Sequence, residues 1–403
     1  MSDFYQTGVV TTLHRLGPPN VERLERELVP LVRERPVALV LPSLFSELEG
    51  PALGHIVDEL SKVPYIHQIV ISLDRADRKQ FQYAREFFSR LPQEHRIIWN
   101  DGPRMQSLFE LLPKHDLTIG EQGKGRGTWL AYGYILARGQ AEVIAVHDCD
   151  VVSYDREMLA RLVFPVVNPN FDYRFCKGFY SRITNRMHGR VTRLMMTPLI
   201  RGLQRILGPL AFLDYLDSFR YILAGEISMV ADLARVNRIP SDWGLEIGML
   251  AEVFRNLAVQ RVCQVDLAGN YEHKHQSLSE QDPNSGLKKM AVDISKSLFR
   301  TLAAEGVILS AGLFRTLLAS YQRTAEDTIE RFHADAAING LEFDRDEEEK
   351  AVETFAHAMQ IAGEQFLNDP LGAPLIPTWN RVTAAIPGFL SNMLEAVESD
   401  NKS

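Results

Sequence analysis

Short apolar runs alternate with amphipathic segments over the first 150 positions of the chain. The apolar runs cover residues 37–41, 67–73, 96–99 and 142–147, and polar or acidic residues follow them. They predict buried strands, whereas the helical periodicity of residues 21–34, 53–62, 78–89 and 128–137 predicts the helices between them. Strands that alternate with helices favour a parallel sheet built from βαβ units, so we expect an α/β fold.

The pattern changes further along the chain. Residues 171–275 mix predicted strands at 175–181 and 261–267 with predicted helices at 192–207 and 245–257. From about residue 282 the strand pattern disappears, and residues 289–305, 313–337 and 347–367 have helical periodicity. We therefore expect one domain over residues 1–281 and a mostly helical extension over residues 282–403. The extension is a candidate dimerisation element, and a homodimer is the expected assembly.

Composition narrows the class of protein. The 403 residues are 45% hydrophobic and 24% charged, which is typical of a globular protein, and the net charge of −8 argues against nucleic acid as a partner. No apolar run approaches the length of a membrane span, and no secretory signal is evident, so no membrane partner is expected. Three scattered cysteines do not suggest a disulfide framework, and a cytoplasmic location is the simplest expectation.

Two aspartates, Asp148 and Asp150, follow the last of the four N-terminal strands. In an extended chain they would share a face with Cα atoms about 6–7 Å apart. Carboxylates so placed can share a divalent cation such as Mg²⁺ or Mn²⁺, and the carboxyl ends of parallel strands are where such sheets bind ligands. The alternative is that the two aspartates only end a strand and cap the next helix.

A glycine-rich segment, Gly123-Lys124-Gly125-Arg126-Gly127, precedes the predicted helix at 128–137. It matches neither a P-loop nor a dinucleotide-binding fingerprint. Glycines around a lysine let the backbone approach a phosphate that the ammonium group contacts. A flexible surface turn explains the segment equally well.

Three further segments carry candidate chemistry. Residues 182–193 contain four arginines and one histidine, which suggests an anion site or, alternatively, a solvated basic loop. Glu246 falls in the first turn of the helix predicted at 245–257, a position that its favourable interaction with the helix dipole could explain alone. His273 and His275 follow the last predicted strand, and single histidines are more often structural than ligands.

Together these segments resemble the glucosyl-3-phosphoglycerate synthase family of retaining nucleotide-sugar glycosyltransferases. Order and spacing agree over about residues 37–276. The matching segments are Leu41-Pro42-Ser43-Leu44, Gly123-Lys124-Gly125, Asp148-Cys149-Asp150, Gly189-Arg190-Val191-Thr192, Gly225-Glu226, Gly244-Leu245-Glu246-Ile247-Gly248 and His273. The resemblance implies an A-type glycosyltransferase fold, which is Rossmann-like with a mostly parallel central sheet.

The resemblance also implies roles for individual positions. Those assigned to the nucleotide-sugar are Pro42, Leu44, Glu47, Asp74, Lys124 and Asp148. Lys124 should meet the diphosphate, whereas the loop before Glu47 is one residue longer than in the family, which weakens that assignment. Arg75 and Tyr271 also depart from the family pattern and bear on substrate preference.

The remaining assignments concern the metal and the acceptor. Asp150 and His273 should coordinate Mg²⁺ or Mn²⁺. Gly189, Arg190 and Thr192 should hold the phosphate of 3-phosphoglycerate, within an acceptor subsite at about 171–281. Glu246 and Asp148 are the expected catalytic residues, beside the sugar.

The resemblance leaves related activities open. The expected reaction moves glucose from an NDP-glucose, with UDP-glucose favoured, to 3-phospho-D-glycerate. A synthase that uses GDP-mannose or free D-glycerate is one alternative, and a non-catalytic sugar-nucleotide-binding protein is another. A sugar nucleotidyltransferase is disfavoured, because its glycine-rich arginine-lysine signature is absent near the first strand.

Overall fold

The computed structural model describes Gln6, residues 8–269 and residues 286–402. Its strands are β1 (Thr11–Leu13), β2 (Val37–Leu44), β3 (Gln68–Asp74), β4 (Glu94–Trp99), β5 (Val143–Val146), β6 (Phe175–Tyr180), β7 (Ile227–Val230) and β8 (Val262–Ala268). They form one eight-stranded sheet in the order β1-β8-β6-β7-β5-β2-β3-β4. All neighbouring pairs are parallel except those of β7, which runs antiparallel to both β5 and β6.

Fifteen α-helices surround this sheet in the described part of the chain. The first ten are α1 (Val21–Glu34), α2 (Pro51–Leu60), α3 (Arg78–Phe88), α4 (Pro103–Phe109), α5 (Lys124–Arg138), α6 (Arg156–Val167), α7 (Thr197–Leu207), α8 (Ala211–Asp217), α9 (Ala231–Val236) and α10 (Leu245–Asn256). The other five are α11 (Gly286–Ala304), α12 (Ala311–Ile338), α13 (Arg345–Asn368), α14 (Trp379–Ala385) and α15 (Phe389–Lys402). None of the described helices has the length and apolar composition to cross a membrane.

The predicted α/β fold with a mostly parallel sheet is confirmed. Strands β2 and β3 are buried along most of their length, because helices cover both faces of a parallel sheet. The short strands β1 and β7 were not predicted from the sequence. Each has at most four residues, and its identity as a strand depends on pairing with distant parts of the chain.

One helix boundary differs from its prediction in a way that matters for the site. Helix α5 begins at Lys124, so that Gly125 and Gly127 lie inside its first turn. A Cβ on Gly125 would lie 2.1 Å from the carbonyl oxygen of Pro240, and one on Gly127 would lie 2.9 Å from Ser72 Oγ. The glycines let the helix start close to neighbouring backbone and to the end of β3, rather than forming a free turn.

The C-terminal helices share the hydrophobic core of the sheet. Trp379 of α14 stacks on Trp129 of α5 with ring centroids 4.0 Å apart, and both indoles are buried. At the edge of the sheet, the side chain of Asn401 on α15 donates to the carbonyl oxygen of Ile97 and accepts from its N–H. This amide covers part of the open edge of β4, which would otherwise be available for pairing. The domain boundary near residue 281 lies outside the described residues and stays a prediction.

Candidate active site

The candidate residues gather at one edge of the sheet. Asp74 ends β3, and Asp148 and Asp150 follow β5, so these side chains lie at the carboxyl ends of parallel strands. Because β7 is antiparallel, its beginning lies at the same edge, and Gly225-Glu226 precedes it directly. The strand reversal at β7 thus brings a fourth segment to the position where α/β sheets bind ligands.

Lys124 is the centre of a partly buried charge cluster. Its Nζ lies 2.6 Å from Asp148 Oδ1 and 3.3 Å from Glu246 Oε1. Burial opposes the charge of the ammonium group, but the carboxylates of Asp148 and Glu246 outweigh it and raise the pKa of Lys124 well above its usual value. Lys124 therefore stays cationic here, and its ammonium group can donate a further hydrogen bond to a phosphate oxygen.

The elements that carry these three residues explain their meeting. Lys124 is the first residue of α5 and Glu246 is in the first turn of α10, so two helix amino termini point their positive ends toward the cluster. Asp148 completes it from the end of β5. Gly225 packs against the same ion pair, since a Cβ there would lie 2.6 Å from Lys124 Nζ and 2.6 Å from Asp148 Oδ2.

Carboxylates crowd the neighbouring part of the site. Burial, followed by repulsion from Asp148, raises the pKa of Asp150 to about 6. Burial, followed by the charge of Asp150, raises the pKa of Glu47 to about 7, although the Leu44 N–H donates to its Oε2 at 3.1 Å. A hard divalent cation relieves such repulsion and prefers carboxylate oxygens, so the Asp150 carboxylate suits Mg²⁺ or Mn²⁺.

The second predicted metal ligand cannot be placed. His273 lies within residues 270–285, outside the described part of the chain. Among described residues, no group of three histidine, cysteine, aspartate or glutamate side chains has the arrangement of a metal site. The pairing of Asp150 with His273 therefore stays a prediction.

The predicted nucleotide side lies along the ends of β2 and β3. Pro42 and Leu44 lie at the carboxyl end of β2, and Leu44 pairs in register with Asp74 on β3. The carboxylate of Asp74 accepts a hydrogen bond from Gln122 Nε2 at 3.0 Å, and burial raises its pKa. Arg75, which departs from the family pattern, follows at a φ of +56°, an uncommon backbone conformation for a residue other than glycine.

The predicted acceptor residues lie in a loop and the helix that follows it. Gly189 has a φ of +74°, and a π-helical turn, Val191–Met196, then leads directly into α7. Thr192 is buried in that turn. The Arg190 guanidinium is half-buried and paired with Glu347 and Glu348 of α13, a contact that sequence reasoning did not anticipate.

Sequence reasoning also missed a buried polar network beneath the charge cluster. Lys177 on β6 is buried and donates from Nζ to the carbonyl oxygen of Ala224 at 2.5 Å. Burial lowers its pKa to about 8, against the charges of Glu246 and Glu226. Tyr180 donates to Glu226 Oε2 at 2.8 Å. In the sequence, the signal that could have indicated this network is a lysine within the apolar run Phe175–Tyr180.

Sequence comparison finds close relatives along the full chain, although no protein-family model matches it. A glucosyl-3-phosphoglycerate synthase from Persephonella marina is 47% identical over 401 residues, which cover 100% of this chain and 99% of the relative. One from Methanococcoides burtonii is 39% identical over 99% of this chain and 98% of its own length. A third, from Mycolicibacterium paratuberculosis, is 26% identical over 61% of this chain and 68% of its own length.

Solved structures resemble the fold at lower identity. The glucosyl-3-phosphoglycerate synthase of Mycobacterium tuberculosis, crystallised with Mn²⁺, UDP and glucosyl-3-phosphoglycerate, has a TM-score of 0.53 at 19% identity, covering 73% of this chain and 88% of its own. The mannosyl-3-phosphoglycerate synthase of Rubrobacter xylanophilus has a TM-score of 0.54 at 22% identity, covering 75% of this chain and 83% of its own. At these identities the structures support the fold assignment alone.

Proposed function

The chain belongs to the glucosyl-3-phosphoglycerate synthase family of glycosyltransferases, and from this premise we propose that it transfers glucose from UDP-glucose to 3-phospho-D-glycerate with retention of anomeric configuration. The observation that carries the proposal is the cluster of Lys124, Asp148 and Glu246 at the sheet edge. It combines a fixed cation for a diphosphate with carboxylates for sugar hydroxyls. A non-catalytic sugar-nucleotide-binding protein is disfavoured, because the relatives in this family are synthases.

The donor half of the site must stabilise a departing nucleoside diphosphate. Lys124 supplies a permanent positive charge that is already oriented by two carboxylates, so little reorganisation is needed as charge develops on the leaving group. Asp150, together with His273, would hold the divalent ion, which would supply further neutralisation of the diphosphate. Pro42 and Leu44 at the end of β2 would border the uracil, with Glu47 and Asp74 near the nucleoside.

The acceptor half must position its substrate. Gly189, Arg190 and Thr192 would bind the phosphate of 3-phosphoglycerate, because a guanidinium next to backbone N–H groups suits that anion. Binding of the acceptor beside the sugar turns a bimolecular encounter into an oriented reaction.

Retention is proposed to occur by attack on the face of the sugar from which the diphosphate leaves. A covalent route would need a carboxylate nucleophile, but the carboxylates of Glu246 and Asp148 are both ion-paired with Lys124. Glu246 would therefore orient the sugar or the acceptor hydroxyl, and a leaving phosphate oxygen would take the acceptor proton. Near-normal turnover by Glu246→Gln, with retention intact, would contradict this role.

The proposal is tested by measuring nucleotide release for each pair of substrates. UDP-glucose or GDP-mannose is combined with 3-phosphoglycerate or D-glycerate, with Mg²⁺ or after chelation. We expect metal-dependent UDP release with UDP-glucose and 3-phosphoglycerate, and its loss in Asp150→Asn. Preferential release of GDP from GDP-mannose, or equal use of D-glycerate, would replace the proposed substrates with those of the alternatives.

Three expectations about the whole protein keep the status of predictions. They are the division into residues 1–281 and 282–403, the homodimer and the cytoplasmic location. All three cysteines are free and buried, as a reducing compartment allows. Light scattering of the purified protein tests the homodimer directly.

A further inference from the structure

The loop that carries the proposed acceptor residues is attached to the C-terminal helices. The Glu342 N–H, in the turn between α12 and α13, donates to the carbonyl oxygen of Asn185 at 2.8 Å. Arg186 and Glu342 form an isolated parallel β-bridge at the same place. Main-chain pairing therefore holds the loop against a part of the chain that is 157 positions away from Asn185.

Two glutamates at the start of α13 extend this attachment to the arginine side chains. Glu348, whose side chain is only 5% exposed, accepts from Arg190 Nε at 2.9 Å and from Arg193 Nη1 at 2.8 Å. Glu347 accepts from Arg190 Nη2 and lies 3.4 Å from Arg186 Nη1. These bonds fix the plane of the Arg190 guanidinium from one side.

Arg190 and Arg193 differ in how many of their guanidinium N–H groups are already hydrogen-bonded. Arg193 donates through Nε, Nη1 and Nη2 to Glu348 and to the carbonyl oxygens of Met187 and His188. Its guanidinium also lies over the ring of Phe332, 4.7 Å from the ring centroid. Within the described part of the chain, the bonds of Arg190 use Nε and Nη2 and leave Nη1 unused. A guanidinium has five N–H donors in one plane, so the Nη1 end of Arg190 can donate to a further anion.

The carboxylates could instead be competitors that an incoming phosphate displaces. Release of Arg190 would leave the buried Glu348 carboxylate with Arg193 as its single partner, which is costly because buried charges require compensation. Arg190 is therefore better held in place while a phosphate binds to its other edge.

We propose that Glu347 and Glu348 are positioning residues, which hold the Arg190 guanidinium at the orientation that binds the acceptor phosphate. The C-terminal helices would thereby set the affinity for a phosphorylated acceptor. This inference rests on the proposed acceptor role of Gly189, Arg190 and Thr192.

The test compares steady-state kinetics of Glu348→Gln, Glu347→Gln and Glu348→Asp. We expect Glu348→Gln to raise the KM for 3-phosphoglycerate about tenfold or more, and Glu347→Gln to raise it severalfold. Without these carboxylate partners the Arg190 guanidinium is not held in one orientation, and part of the binding energy of the substrate is spent on ordering it. The kcat and the KM for UDP-glucose should change less than about twofold, since neither residue contacts the donor cluster. Glu348→Asp, which keeps the charge, should recover part of the affinity.

Glu349→Gln is the matched control, because Glu349 is exposed on the same helix and pairs with Arg345. An unchanged acceptor KM in both glutamine variants, or a lower KM in Glu347→Gln, would overturn the inference, the latter by showing competition. If Glu348→Gln does not fold, the acceptor KM of Glu347→Gln alone tests the inference. The Glu347 side chain is 43% exposed, so its substitution should leave the fold intact. An unchanged acceptor KM in Arg190→Gln would instead refute the acceptor assignment.

Discussion

Lys124 at the start of α5 and Asp148 after β5 form a 2.6 Å ion pair at the sheet edge, and Gly225, just before β7, packs against this pair. The pair joins two segments that are 24 positions apart in the sequence, and Gly225 is 77 positions beyond Asp148. Their proximity depends on the sheet order, in which β7 lies directly beside β5.

Lys124→Met should abolish most of the activity. The substitution keeps the length of the side chain but removes the charge proposed to meet the diphosphate, and kcat/KM for UDP-glucose should fall about 100-fold. The control is Lys79→Met, at an exposed position on α3, which should retain its activity. Activity close to that of the wild type in Lys124→Met would remove lysine from the proposed mechanism.

Gly225→Ala should reduce kcat while leaving the protein folded. The added methyl group would lie 2.6 Å from Lys124 Nζ, so the ion pair must move, and displacements of this kind in active sites cost about 10–100-fold in rate. Gly54→Ala on α2 is the matched control, because its added Cβ would have no atom within 4 Å apart from its chain neighbours and the backbone of its own helix. That control should keep its kcat and gain about 0.5–1 kcal/mol in stability.

Lys177 should make the free energy of unfolding depend on pH in the alkaline range. Burial lowers its pKa to about 8 from the ordinary lysine value of 10.5, so between these two values the unfolded chain binds the proton and the folded protein does not. The free energy of unfolding should therefore rise as pH increases from 8 to 10.5, by about 3 kcal/mol in total.

Urea denaturation of the wild type and Lys177→Met at pH 7.5, 9 and 10 measures this contribution. The difference in stability, wild type minus variant, should grow with pH and be constant below pH 7.5. A flat difference across the series would show that the Lys177 pKa is not lowered by burial in the folded protein.

Trp379→Ala should destabilise the whole protein rather than the C-terminal helices alone. The Trp379 indole stacks on Trp129, and its Nε1 donates to the Trp129 carbonyl oxygen at 3.1 Å. Truncation of a buried tryptophan costs about 3–5 kcal/mol. Since Trp129 belongs to the helix that begins at Lys124, one cooperative transition at lower temperature is expected by calorimetry. Two separated transitions would instead support an independently folding extension.

Much of the candidate donor site could be predicted from the sequence. Apolar runs precede Asp74, Asp148 and Asp150. The carboxyl ends of parallel strands lie at one edge of the sheet, independently of the conformation of the loops. Lys124 was placed correctly near a helix start, but its helix was predicted to begin four residues later. Local propensity disfavours glycine in a helix, whereas here close contact with Pro240 and Ser72 requires it.

The sequence by itself determined the alternation of strands and helices and the residue types at the strand ends, because both depend on local periodicity and on short-range chemistry. The tertiary structure alone decided the reversal of β7, the burial of Lys177 and the pairing of Arg190 with Glu347 and Glu348. Each of these joins segments far apart in the chain, and no local pattern encodes which distant partner will compensate a buried charge. An arginine that looked like a free anion ligand in the sequence is, in the folded protein, already held on one side by the C-terminal helices.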